Sequence, residues 1–501
     1  MSQEGNILLK SGTVLIHAKD DHVTPVVTDI LISGSKIAKI EPSIVDPSAE
    51  VIDCSDKIIS PGFVDTHHHV WQTQFKGVHA NQTLPEFLAH GTSGNFVGKH
   101  ATADDVFWGQ LAGCMEMINA GTTTVVDYAH INPSLEYNYK AIAATAASGV
   151  RSIFCHAAMT TISDWETFST NFDVLRDHAN TLAQLVETGP FGDGRITIGF
   201  AFDGWSRTPK EYLDMLMYEL NRLSIPLITY HYWWRDGEGA RPTAIEEMCK
   251  SQILDHRWLI AHANNMPPTD AELIRKTEAH ISSTPSTELH FSMGFPVIAF
   301  RNDLKVKHIS SLGVDCHSVT SAFMPGEARI GLQSSRAARG EVWLQKGKVV
   351  REVGYSVEEA FNLMTVLGAR GAKMEPQIGS IAVGKLADLV MFDKTSPSMV
   401  CASEQDPVAA ILLHSSPADV DTVIVGGVVR KRAGRLESVA LDKHGVDAAG
   451  RSQLSWQDVA KAVGASRMAM QERLSKIDMQ EQMKRAHTLL YGSGEDLVSV
   501  E

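Results

Sequence analysis

Three consecutive histidines, His67, His68 and His69, close the stretch Pro61-Gly62-Phe63-Val64-Asp65-Thr66. Just upstream, Lys57-Ile58-Ile59-Ser60 is apolar and β-prone, and Pro61-Gly62 is a turn signal. Phe63 to Thr66 therefore reads as a short buried strand that ends in imidazoles. Side chains alternate along a strand, so His67 and His69 share one face and His68 takes the other. Two imidazoles projecting side by side from a strand end can grip one divalent cation. A solvent-exposed histidine run is the competing reading, and the apolar context speaks against it.

Other candidate donors recur at the ends of apolar runs. Thr122–Asp127, Arg151–His156, Arg195–Asp203, Pro226–His231 and Trp258–His262 each follow a helical pattern, and His280–Pro285 and Ile309–Asp315 come next. With the first strand they make eight strand candidates alternating with helices. That pattern predicts an α/β chain built on a closed (β/α)8 TIM barrel, with an open doubly wound sheet as runner-up. In such barrels chemistry sits at the C-terminal ends of the strands. Read in order, those ends are His67/His69, Asp127, His156, Asp203, His231, His262, Thr284 and Asp315. A mononuclear catalytic zinc takes about three protein ligands and keeps a position open. His67, His69 and His231 supply imidazoles and Asp315 a carboxylate, and such a metal brings the pKa of water down toward about 7. Asp315 would then move the proton of that water. His262 is placed to hydrogen-bond the water or polarise a carbonyl, or else to support a ligand.

The remainder of the 501 residues must position this ring. Alternating apolar runs before Pro61 read as an antiparallel sheet, and β-style sequence returns after Ala372. The two ends are expected to combine into one small β-sandwich domain (1–60 with 376–435) around the barrel (61–375), Gly426-Gly427 forming a hairpin turn. A helical tail (436–501) follows, amphipathic from about Trp456 to Tyr491. Its apolar face is compatible with a homo-oligomer. Lys and Arg number 45 against 59 Asp and Glu, a net charge of -14, which argues against a nucleic-acid or anionic-membrane partner. No run reaches membrane-span length, and Met1-Ser2-Gln3-Glu4-Gly5 lacks a leader pattern, so a cytoplasmic protein is expected. Six scattered cysteines read as reduced thiols.

Several motifs together resemble one family. They are Pro61 to His69, Gly121-Thr122-Thr123-Thr124, His231, Ala261-His262-Ala263-Asn264-Asn265, Pro285-Ser286-Thr287-Glu288-Leu289, Gly313-Val314-Asp315 and the late segment Ile378–Val390. In these the chain is similar to the amidohydrolase superfamily, in the one-metal branch that holds cytosine, guanine and triazine deaminases and related hydrolases. The resemblance implies that His67, His69, His231 and Asp315 are ligands of one divalent ion, zinc expected and iron the alternative. It also implies that His262 binds water or a carbonyl group. One departure stands out: deaminases of this branch carry a glutamate three residues after the strand-five histidine, and here that position is Trp234, with Glu238 four residues further on.

Simple hydrolysis of a carbon–nitrogen bond, amide or amidine-like, is therefore the expected activity. A lyase on the same scaffold, a deaminase with a different proton shuttle, and a binding protein on an inactive barrel are the alternatives. The substrate is expected to be a small, planar or apolar molecule, because Trp71, Trp205, Trp234 and other aromatic residues fall just past strand ends. Gln72 joins them as a candidate substrate contact. Glu288 is another, and with His290 and His317 it also reads as an outer partner of the ligands. No phosphate-cradling glycine pattern is present. The segment 79–100, with Gly91, Gly94 and Gly98, is a candidate lid.

Overall fold

A computed structural model of the chain describes residues 5–89, 100–159, 172–232 and 242–481, together with 483, 484 and 488. Its central sheet is parallel throughout and closes on itself. The strands in chain order are β1 (Phe63–His69), β2 (Thr122–Ala129), β3 (Arg151–Ala157), β4 (Ile196–Ala201) and β5 (Ile228–Tyr232). They continue with β6 (Trp258–His262), β7 (His280–Ser283), β8 (Ser310–Leu312) and β9 (Asp315–Cys316). Helices follow most strands, as a (β/α)8 barrel requires. Every residue of β1, β2 and β3 is buried, as expected of parallel strands covered on both faces.

The eighth strand differs from the single run Ile309–Asp315 expected above. It is split: β8 bonds to β7, and β9 bonds to β1. Gly313 lies in the break because the strand crosses the metal-motif backbone there. A Cβ on Gly313 would come within 2.6–2.7 Å of the main-chain oxygen and nitrogen of His67. Strand β2 also differs, running to Ala129 instead of ending at Asp127.

Both ends of the chain build a second, nine-stranded sheet. Ile7–His17 is antiparallel to Val23–Ser33, but parallel to Glu50–Asp53 and Lys57–Pro61, so this sheet is mixed where an antiparallel one was expected. The late strand Leu389–Asp393 pairs antiparallel with Lys57–Pro61, directly ahead of β1. Gly426 and Gly427 both take positive φ (55° and 74°) between Val420–Val425 and Val428–Arg432, as a two-residue hairpin turn demands. A buried ion pair ties this sheet to the barrel. Arg151 at the start of β3 donates Nε and Nη2 to Asp388 at 2.9 and 3.1 Å, and the Gly426 amide donates to the same carboxylate at 2.6 Å.

The helix Trp456–Leu474, opened by a Ser455/Asp458 capping box, lies against the helix Ala103–Asn119 and the turn Val70–Phe75. Ser466 Oγ donates to Asp105 at 2.6 Å, and Arg473 Nε donates to the His100 carbonyl at 2.7 Å. Residues 90–99 of the candidate lid, with its three glycines, lie outside the described residues, as do Trp234 and Glu238. Among the described residues no helix is long and apolar enough to cross a membrane.

Two stability measurements follow. Asp388→Ala strands a buried guanidinium, and unfolding should become easier by about 3–5 kcal/mol, read from denaturant midpoints. Glu327, on the helix Met324–Leu344, is buried and accepts from the amide and hydroxyl of Ser286; burial pushes its carboxyl up to about 8. The folded chain therefore keeps a proton that the unfolded chain loses near pH 4.5, and stability falls as pH rises from there through about 8. Glu327→Gln removes that slope, so its melting-temperature advantage over the parent should grow between pH 5 and pH 8.

Candidate metal centre

Strand alternation places His67 and His69 toward the barrel axis and His68 away from it. His231 arrives from the end of β5, and β9 brings Asp315 alongside His68 in register. One ligand atom from each of His67, His69, His231 and Asp315 lies within 4.8 Å of all the others. Asp315 Oδ1 is 3.4 Å from His67 Nε2 and 3.2 Å from His69 Nε2. Such separations suit neighbouring donors on one ion held at about 2.0–2.2 Å.

The hydrogen-bond pattern suits an ion between these atoms. His69 Nδ1 donates to the Tyr128 carbonyl at 3.0 Å, and His231 Nδ1 donates to the Asp203 carboxylate at 3.0–3.1 Å. With both rings neutral, the two Nε2 atoms are lone pairs that face each other at 3.3 Å. His67 adds two ring nitrogens with no hydrogen-bond partner in a fully buried position. A cation would take one nitrogen from each of the three rings together with the Asp315 carboxylate, so the residues fit a divalent metal, and the second His67 nitrogen is left over.

Electrostatics agree. Burial lowers the pKa of His67 and His69 and keeps both rings neutral. Burial works against ionised Asp315, but His67 and His69 hold its carboxyl well below the usual range. At His231 burial is outweighed by the Asp203 carboxylate, which raises the imidazole.

His262 stands at the end of β6 with Nε2 3.9 Å from Asp315 Oδ2. Its Nδ1 is 3.0 Å from Thr284 Oγ1 and 3.4 Å from Glu288 Oε1. Glu288 is fully buried and accepts from the Thr284 amide, Asn264 Nδ2 and Ser283 Oγ, so it reaches the centre through His262. His262, Ala263 and Asp315 all take left-handed φ (71°, 69° and 66°), backbone strain of the kind concentrated at functional sites.

Trp71 and Gln72 occupy the turn right after His69 and are buried. Trp71 Nε1 donates to His130 Nδ1 at 3.2 Å, and the His130 ring lies 4.4 Å from that of His69. Gln72 Oε1 accepts weakly from the amide and hydroxyl of Ser318, leaving its buried Nε2 without a partner among the described residues. Trp205 is not brought to the centre; it is 2% exposed and stacks edge-on against Trp258 and Phe202 in the core. Asp127 is held by Gln110 at 2.6 Å and His156 by Asn138 and His178, each apart from the four ligand candidates. His130 escaped the sequence reading because β2 runs past Asp127, which makes His130 the residue at the mouth. The contact of Asp203 with His231 escaped it too, since register across β4 and β5 is tertiary.

The amidohydrolase family profile matches residues 58–430. A 5-methylthioadenosine/S-adenosylhomocysteine deaminase of Carboxydothermus hydrogenoformans is 25% identical over 447 residues, covering 86% of this chain and 93% of its own. An adenosine deaminase of Xanthomonas campestris solved with bound zinc superposes with a TM-score of 0.74 at 17% identity, covering 94% of this chain and 99% of its own. The zinc complex of atrazine chlorohydrolase from Arthrobacter aurescens TC1 gives a TM-score of 0.73 at 18% identity, covering 91% and 100%. The chain therefore belongs to the amidohydrolase family and is a hydrolase acting on carbon–nitrogen bonds.

Proposed function

We propose that this chain removes an exocyclic amino group, an amidine-type C–N bond, from a small aromatic heterocycle of the aminopurine or aminotriazine class. The observation that carries the reading is the meeting of His67, His69, His231 and Asp315 within 4.8 Å. We assign these four residues as ligands of a single zinc ion. When bound, the ion supplies Lewis acidity and brings the pKa of water from 15.7 toward about 7.

The side chains perform the remaining work. Asp315 Oδ2, turned toward His262, accepts the proton of the attacking water and returns it to the departing nitrogen. His262 Nε2 donates to the heteroatom on which charge grows as the ring carbon is attacked, and the partners of Nδ1 fix its aim. The pair takes the place of the glutamate that Trp234 displaces. Trp71 offers an apolar wall beside His69, and the unpartnered Gln72 Nε2 offers one donor for a ring acceptor. The deaminase names of the relatives favour an amino leaving group over an acyl one.

Purified chain should hold about one zinc per polypeptide, and a screen of aminopurine nucleosides and aminotriazines should release ammonia. Amine plus carboxylic acid from N-acyl aromatics, with no ammonia from the heterocycles, would replace this reading with amide hydrolysis. His231→Ala should lose zinc and more than about 100-fold in activity, beyond what loss of an outer partner costs. His262→Ala should keep its zinc while kcat falls by about 10²–10³.

A further inference from the structure

The third histidine of the motif has no part in the chemistry above, yet it is fully buried. His68 Nδ1 lies 2.6 Å from Asp65 Oδ2, and its Nε2 lies 2.9 Å from His317 Nδ1. On the far side, His317 Nε2 lies 3.2 Å from Glu116 Oε2, and Glu116 pairs with Lys76. The path therefore runs from β1 through the loop after β9 to the helix Ala103–Asn119. Asp65 Oδ1 extends it by accepting from the amides of His67 and Val314, at 3.2 and 3.1 Å.

Burying so many polar groups is costly, and an apolar packing of the same volume would hold strands together as well. Strand β9 explains the arrangement. It has two residues, pairs among the described residues only with β1, follows the break at Gly313, and carries Asp315 in a left-handed conformation. Main-chain pairing alone gives the carboxylate little support there.

We infer that the chain Asp65–His68–His317–Glu116 is a strut on the back of the metal centre that sets where Asp315 stands relative to His67 and His69. His68 and His317 are positioning residues: neither reaches the substrate side, and both act on the geometry of the ligand residues. The inference rests on the ligand assignment above.

The test is zinc affinity, read by competition with graded chelator, alongside the melting temperature of metal-stripped protein. His68→Gln and His317→Gln should each weaken zinc by about 10–100-fold, the usual cost of an outer-shell partner. The double variant should lose no more than the worse single one, because both interrupt one path. Unchanged zinc affinity with a lower melting temperature of the stripped protein would reveal mere packing and overturn the inference, as would additive losses. Should the histidine variants fail to fold, Glu116→Gln at the accessible end serves; about tenfold weaker zinc supports the strut and an unchanged affinity removes it. A parent chain that binds no zinc at all would sink the ligand assignment instead.

Discussion

Asp315 and Cys316 lie beside His68 and His69, and that pairing brings a carboxylate to within 3.4 Å of two imidazoles. The approach is only open because residue 313 lacks a side chain where the main chain of His67 passes. Closing the barrel and building the centre are thus the same event. In an open sheet Asp315 would stand at an edge, strands away from the histidines it must meet.

The tight convergence has an electrostatic consequence. Burial opposes charge on Asp315 and on the His67 and His69 rings alike, and contact with those two histidines draws the carboxyl pKa down. Neutral nitrogens and one carboxylate are the protonation states a divalent metal needs. Further out, Asp203, the Tyr128 carbonyl and Thr284 with Glu288 each hold one side of a ring so that its other nitrogen faces inward.

Much of this was legible in the sequence where local rules suffice. Period-two alternation separated His67 and His69 from His68, and apolar runs ending in polar residues located the mouth of the barrel at His231, His262 and Asp315. What escaped depends on contacts between distant strands. The two added residues of β2, which carry the chain on to the buried His130, are themselves buried and show no alternating pattern to mark where they stop. Trp205 read as a wall of the site because it follows a strand end, but the neighbouring Trp258 draws it into the core. The split of the eighth strand follows from the His67 backbone pressing on Gly313, a tertiary clash that no local window contains.

Strand Leu389–Asp393 is the antiparallel neighbour of Lys57–Pro61, directly ahead of the strand that ends in His67 and His69. During synthesis, then, His67 and His69 leave the ribosome long before Asp315, and the segment that clamps their strand comes later still. At about 5–20 residues per second the interval is on the order of tens of seconds. Throughout that time the nascent chain carries only part of the candidate site, on a strand whose preceding segment still lacks its late antiparallel neighbour.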